Sequence, residues 1–219
     1  MDLSRLDLAV LARQLANPEG EIGIAVGDYM SQHNAALSAA AWKRLGLRPG
    51  DRVLEVGFGN GKLIPALLAI EPDLAYTGID TSATMLAEAR AFNSALVEAR
   101  RIDLRLASVE AMPFADGAFD GAACVNTFYF VPDPDRALAE FHRVLRPGGV
   151  LVVAGLTPES AAELPIVKHG FRVYDRQRLE DMHRRAGFHS MDVEIHRETT
   201  QRLDGGTHRR GYQVFRAVA

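Results

Sequence analysis

The chain has a single cysteine, Cys124, among its 219 residues. One thiol excludes an internal disulfide framework and any cysteine-based zinc centre. Long apolar runs are missing too. The stretches around Leu63 to Ile70 and Val150 to Leu156 fall well short of the roughly 20 residues that a bilayer-spanning helix needs. No charged-then-apolar leader is expected, because Asp2 and Asp7 interrupt the opening residues. Positive charge is not in excess: 25 basic residues against 28 acidic ones give a net charge of −3, which argues against a surface that tracks nucleic-acid phosphates. The basic stretches "ARRIDLR" and "HRRGYQVFR" alternate with apolar residues and fit strand edges better. Repeats and low-complexity segments are absent. What is left, 47% apolar and 24% charged, suits a soluble, cytoplasmic globular protein with a sizeable core.

The apolar residues are arranged in alternating short and long periods. Strand-like runs stand at 52–56, 74–79, 102–107, 119–125 and 149–155, with helical patterns at 61–70, 82–100 and 134–146 between them. Leu138, Phe141 and Leu145 share one helical face, and "RPGG" stops that helix. Such alternation predicts an α/β protein with a parallel sheet. Beyond residue 156 a polar, proline-bearing stretch leads to a helix at about 175–187. Strands at 189–197 and 211–218 follow, joined by a "DGG" turn at 204–206, so this end of the sheet is expected to be antiparallel. Before residue 50, an apolar stripe of Leu3, Leu6, Val10, Leu11 and Leu15 stops at "NPEG", and a second helix spans about 28–46. The expectation is one domain: a helical cap over 1–49, a core over 50–156, and a variable segment with the last strands over 157–219.

The most informative stretch is "VLEVGFGNGKL" at 53–63, a strand that runs into glycines at every second position. A glycine turn between a strand and a helix brings backbone close to a ligand, or simply makes a tight turn. The dinucleotide fingerprint wants a third glycine where Lys62 stands, and the phosphate-loop pattern is absent. Glu55 sits at the carboxyl end of the strand, where a ligand would lie. A carboxylate there repels pyrophosphate and favours ammonium or sulfonium groups. S-adenosylmethionine carries both. Asp80 closes the second strand and can accept ribose hydroxyls or cap the next helix. Ser108, Val109 and Glu110 follow the third strand, where an adenine would fall.

With these segments in hand, the chain resembles the class I S-adenosylmethionine-dependent methyltransferases. The resemblance rests on "VLEVGFGNG", "YTGIDTSATMLAEAR", "VEAMPFADGAFD" and "RALAEFHRVLRPGG", in order over about 50–156. It is nearest to the small bacterial enzymes of the ubiquinone and menaquinone methylase group. It implies a Rossmann-like three-layer sandwich with strand order 3-2-1-4-5-7-6, strand 7 antiparallel. By position, Gly57, Gly59 and Gly61 would lay the methionine part of the cofactor against backbone, with Glu55 supporting its amino group. Asp80 would hold the ribose, Thr81 and Met85 would flank the adenine, Val109 would give it a backbone contact, and Asn126 would lie near the methionine end. Ser108 stands where the family commonly has an aspartate for the adenine amine. Losing that charge costs roughly 1 kcal/mol of affinity, unless Glu110 compensates.

Methyl transfer from a sulfonium needs alignment more than acid–base machinery, so no catalytic residue is predicted. "NTFYFVPDP" follows the fourth strand, and its rings Phe128, Tyr129 and Phe130 either line an acceptor pocket or pack beneath the next helix. It is not the Asn/Asp-Pro-Pro-Tyr motif of planar-amine methylases. Tyr29 and His33, four apart in "GIAVGDYMSQHNAAL", either form a lid or lie on an exposed face. His169 and Tyr174 are further acceptor candidates, whereas His142, His183 and His189 read as surface residues, and no metal-ligand cluster is expected. The implied partner is a small-molecule acceptor, not nucleic acid, with the chain a monomer or homodimer. The competing classes are a non-catalytic binder of S-adenosylmethionine or S-adenosylhomocysteine, a nicotinamide oxidoreductase, and a protein or RNA methylase.

Overall fold

A computed structural model describes residues 1–201 and 206–219, so most of the expected turn at 204–206 lies outside the described residues. Seven strands form one sheet: β1 Arg52–Val56, β2 Ala75–Asp80, β3 Ile102–Leu106, β4 Phe119–Val125, β5 Leu145–Leu156, β6 His189–Gln201 and β7 Thr207–Val218. Their order is β3-β2-β1-β4-β5-β7-β6. Pairing is parallel from β3 through β5, whereas β7 runs antiparallel to both β5 and β6. This is the Rossmann-like methyltransferase topology that the motifs implied.

Period-two alternation places each face of the sheet in its own core. In β1, Val53 joins one apolar cluster, with Trp42, Ile64 and Tyr76, while Leu54 and Val56 join the other, with Leu138, Phe141 and Phe215. Helices cover both faces: α1 Leu8–Ala16, α2 Gly20–Leu45, α3 Ile64–Leu68, α4 Ala83–Phe92, α5 Ser94–Glu98, α6 Pro134–Val144, α7 Pro158–Ala162 and α8 Arg176–Arg185. The helix expected over 82–100 is split at Asn93, whose side-chain amide donates to the carbonyls of Gly61 and Ala89 and ties α4 to the glycine turn.

Two departures matter for the site. Helix α2 begins eight residues earlier than expected, at Gly20. Glycines argue against a helix by propensity, but a Cβ at Gly27 would meet the Met85 sulfur at 2.8 Å, so the glycine lets α2 lie directly on α4. Second, the cap is not built from residues 1–49 alone. A third apolar cluster holds Leu3, Leu11 and Val26 and takes in Ile166, from a 3₁₀ turn at Pro165–Lys168. One expectation is corrected: His183 is fully buried, with its ring 4.5 Å from that of Phe215. It shares an inward face of α8 with Leu179 and Met182, a period hidden by the helix's many charges.

Candidate active site

Every parallel strand from β1 to β4 ends at one edge of the sheet, and a cavity of about 160 Å³ opens there beneath α1 and α2. β1 delivers Glu55 and the glycine turn to its wall. Gly57, Gly59 and Gly61 all have positive φ (82°, 59° and 70°), so the chain reverses tightly without a helical end. Nothing lies within 4 Å of where a Gly59 Cβ would project, which leaves that stretch of backbone open towards a ligand. Gly61 does not line the cavity, contrary to expectation. A Cβ there would meet Ala89 at 2.7 Å, so its smallness serves helix packing instead.

The acids sit as the topology dictates. Asp80 ends β2; one carboxylate oxygen accepts the Gly59 N–H at 3.0 Å and the other the Ser82 N–H at 2.9 Å. The Thr81 N–H also helps to hold the charged carboxylate. Helix α4 is capped by Ser82, whose hydroxyl accepts the Met85 N–H, so Asp80 is not the cap residue. Burial pushes the Asp80 carboxyl above its usual range against the backbone N–H groups that hold it down. Glu55 is 7% exposed and accepts the Tyr76 hydroxyl at 2.5 Å. Burial raises its pKa to about 7 despite that bond, with the nearby Asp80 charge adding to the rise. Thr81, Met85, Ser108, Val109 and Asn126 also line this cavity. The Ser108 hydroxyl donates to Glu110 and accepts the Glu110 N–H, and Glu110 in turn accepts the Asp133 N–H at 2.6 Å. Glu110 is therefore fixed in place rather than simply exposed.

A second cavity, of about 320 Å³, adjoins the first. Leu15, Met30, Asn34, Asn126 and Phe130 line both. At this junction the Asn126 amide donates to the Asn34 side-chain oxygen at 3.0 Å, while its own oxygen is buried with no partner. Tyr29, His33 and Tyr129 line the second cavity and not the first, with Phe171 against Tyr129 and Phe130 at ring separations of 5.0 and 4.5 Å. The other acceptor candidates fall elsewhere. Phe128 and Tyr174 pack together at 5.8 Å over the opposite core, and His169 is exposed beyond the 3₁₀ turn.

Known proteins of this build decide the family. A methyltransferase-domain family model matches residues 54–153. YdaC, an uncharacterized methyltransferase of Bacillus subtilis (strain 168), is 30% identical over 169 residues, covering 77% of this chain and 88% of YdaC. The chain belongs to the class I methyltransferases.

This methyltransferase takes S-adenosylmethionine as its methyl donor. An O-methyltransferase of Pyrenophora dematioidea is 29% identical over 178 residues, 78% of this chain and 66% of that enzyme. The ubiquinone/menaquinone biosynthesis C-methyltransferase UbiE of Geotalea daltonii (strain DSM 22248 / JCM 15807 / FRC-32) is 31% identical over 140 residues, 61% of this chain and 58% of its own length. The fold is shared with phosphoethanolamine N-methyltransferase 2 of Haemonchus contortus, at 14% identity and a TM-score of 0.74, over 98% of this chain and 60% of that one.

Sequence reasoning missed the part of the first cavity's wall that comes from the cap, where Pro18, Gly27, Ser31 and Ser38 line it. Asp28 of α2 accepts the Asn60 amide at 2.9 Å and the Lys62 ammonium at 2.5 Å, fastening the cap to the glycine turn. Ser82 donates to the Pro18 carbonyl, and the Gly20 N–H donates to the Thr84 hydroxyl at 3.2 Å. The only local signal was Lys62 itself, standing where a dinucleotide site would have glycine.

Proposed function

We propose that this methyltransferase moves the S-adenosylmethionine methyl group to a small, largely apolar molecule held in the second cavity. The observation that carries the proposal is the shared wall. Asn34, Asn126, Met30 and Phe130 face both cavities, so a donor in the first and an acceptor in the second would meet in line there. When bound, S-adenosylmethionine supplies an electrophilic methyl on a sulfonium centre.

In this proposal the chain's residues bind and orient. The Glu55 carboxylate, buried beside the glycine turn, faces the methionine ammonium, and ionising against that charge relieves its isolation. Asp80, already held by backbone N–H groups, turns its remaining acceptor capacity to the ribose hydroxyls. The adenine lies between Met85 and Val109, with Thr81 at its edge, and the Ser108 oxygen, its proton directed to Glu110, accepts the exocyclic amine. The unpartnered Asn126 oxygen faces the methionine end. Gly57 and Gly59 let the chain approach the methionine part. The five phenylalanine and tyrosine rings that line the second cavity favour a flat acceptor and exclude water.

The test is to incubate the protein with methyl-labelled S-adenosylmethionine and a cell extract split into small-molecule, RNA and protein fractions. Label in the small-molecule fraction alone is the expected result. Label in RNA or protein would move the acceptor to a macromolecule. Tight cofactor binding by calorimetry with no label in any fraction would favour a binder that transfers nothing.

A further inference from the structure

Within the second cavity one side chain has its chemistry set by a single bond. His33 Nδ1 lies 2.7 Å from the Tyr29 carbonyl oxygen, its neighbour one helical turn back. A carbonyl can only accept, so Nδ1 carries the proton, and the neutral ring holds its lone pair on Nε2. The ring is also stacked on Tyr29, with centroids 4.0 Å apart, so its plane is set as well as its tautomer. Nε2 makes no hydrogen bond to the described residues, and His33 lines the cavity. Met30, one helical turn before His33 on the same face of α2, reaches the junction with the first cavity, so an acceptor that fills the second cavity up to that junction passes this imidazole.

The charge of the cavity narrows the acceptor further. No carboxylate lines it among the described residues, whereas the Arg210 guanidinium does. Tyr29 of α2, Tyr129 from the turn after β4, and His208 and Tyr212 of β7 are the other titratable groups on its wall. An ammonium acceptor would find no carboxylate on the wall and one like charge; the nearest acid, Glu198, stands opposite Arg210 in the β6–β7 register and is already engaged with Tyr212. A neutral hydroxyl that becomes an oxyanion would be stabilised.

We propose that the acceptor is a planar hydroxyl compound, a phenol or an enol, and that His33 Nε2 takes its proton as the methyl is transferred. This rests on the proposed function above. The acceptor oxygen forms a bond to the methyl carbon with its own electron pair. The carbon–sulfur bond breaks with its electrons going to sulfur, which becomes a neutral thioether. The hydroxyl proton passes to Nε2, and the imidazolium later releases it to solvent. General-base assistance of this kind is worth about 100-fold or more.

Two readouts test it on the whole chain. In the first, 4-nitrophenol, whose ionised form absorbs visible light, is titrated at pH 6 into protein saturated with S-adenosylhomocysteine, so that no transfer takes place. Wild type is expected to bind the probe as phenolate, and His33→Gln to bind it without the visible band. A band unchanged in His33→Gln, or absent from wild type, overturns the proposal. In the second, labelled S-adenosylmethionine is offered with phenols, primary amines and thiols. Phenol methylation is expected to fall about 100-fold or more in His33→Gln, with cofactor affinity held within about twofold. Added imidazole is expected to restore part of the activity of His33→Ala. Transfer to amines or thiols instead, a loss below about threefold, or a loss in His208→Gln in place of His33→Gln would overturn the assignment. Any of these still leaves methyl transfer to a small molecule standing; label confined to macromolecules in the fractionation experiment would sink that reading itself.

Discussion

The two cavities share a wall but are built in opposite ways. The first is made at the ends of parallel strands, by backbone turns and two carboxylates, Glu55 buried and Asp80 half-buried, that the sheet topology brings together. The second is made by side chains from α1, α2, the turn after β4, the 3₁₀ turn at Pro165–Lys168 and β7, far apart in sequence. One is polar at its ends; the other is rich in aromatic rings, and no carboxylate lines it among the described residues.

The sharpest way to break this comparison is Gly59→Asp. Its φ of 59° strains any side chain, aspartate less than most, and the added carboxylate would project into the open side of the first cavity, beside Asp80. Cofactor affinity by calorimetry is expected to fall by about 100-fold or more, equivalent to about 3 kcal/mol. Nitrophenol binding should change by less than about twofold. Equal losses at both cavities would show that they are one site.

His183 tests what the surroundings do to the bond that His33 makes. Its Nδ1 also lies 2.7 Å from a carbonyl one turn back, that of Leu179, but its Nε2 is buried without a partner. Burial lowers its pKa from 6.5 to about 4. The unfolded chain therefore binds this proton first as the pH falls. The stability that the neutral ring contributes is complete above pH 6.5 and is lost by about pH 4, a change of about 3 kcal/mol. Urea unfolding of His183→Phe across this range should show that much less acid sensitivity.

A smaller effect is expected at Phe171, which lines only the second cavity. Truncation to alanine should cost about 2 kcal/mol of acceptor binding, a roughly 30-fold fall in kcat/KM, with cofactor affinity unchanged. The smallest effect concerns Glu55. Its raised pKa means that the ligand-free fold holds a proton which the unfolded chain has lost, so stability falls as the pH rises from 4.5 through about 7. Cofactor binding wants the ionised form. Affinity should therefore rise about tenfold from pH 6 to pH 8 in calorimetry, and Glu55→Gln should bind more weakly with a flat profile.

Much of the first cavity was legible in the chain because its parts are local. A run such as "VLEVGFGNG" declares strand, acid and turn together, and period-two alternation then declares which residues face which core. Asp80 and Ser108 follow their own strands in the same way. Gly61 misled because a glycine that a ligand needs and a glycine that a neighbouring helix needs look alike in sequence; only the approach of Ala89 separates them. His183 misled because a helix of mostly charged residues hid a three-residue inward face.

The sequence by itself determined the strand order's signature, the methyl donor and the acids at the strand ends, since each is written in residues a few positions apart and parallel strands must deliver them to one edge. Tertiary structure alone decided that α2 starts at Gly20 and lies on Met85, that Pro165–Lys168 closes the cap over Leu3 and Leu11, and that His33 faces a cavity while His183 faces a core. Those outcomes depend on which side chains meet across tens to hundreds of residues of chain, and no local pattern carries that information.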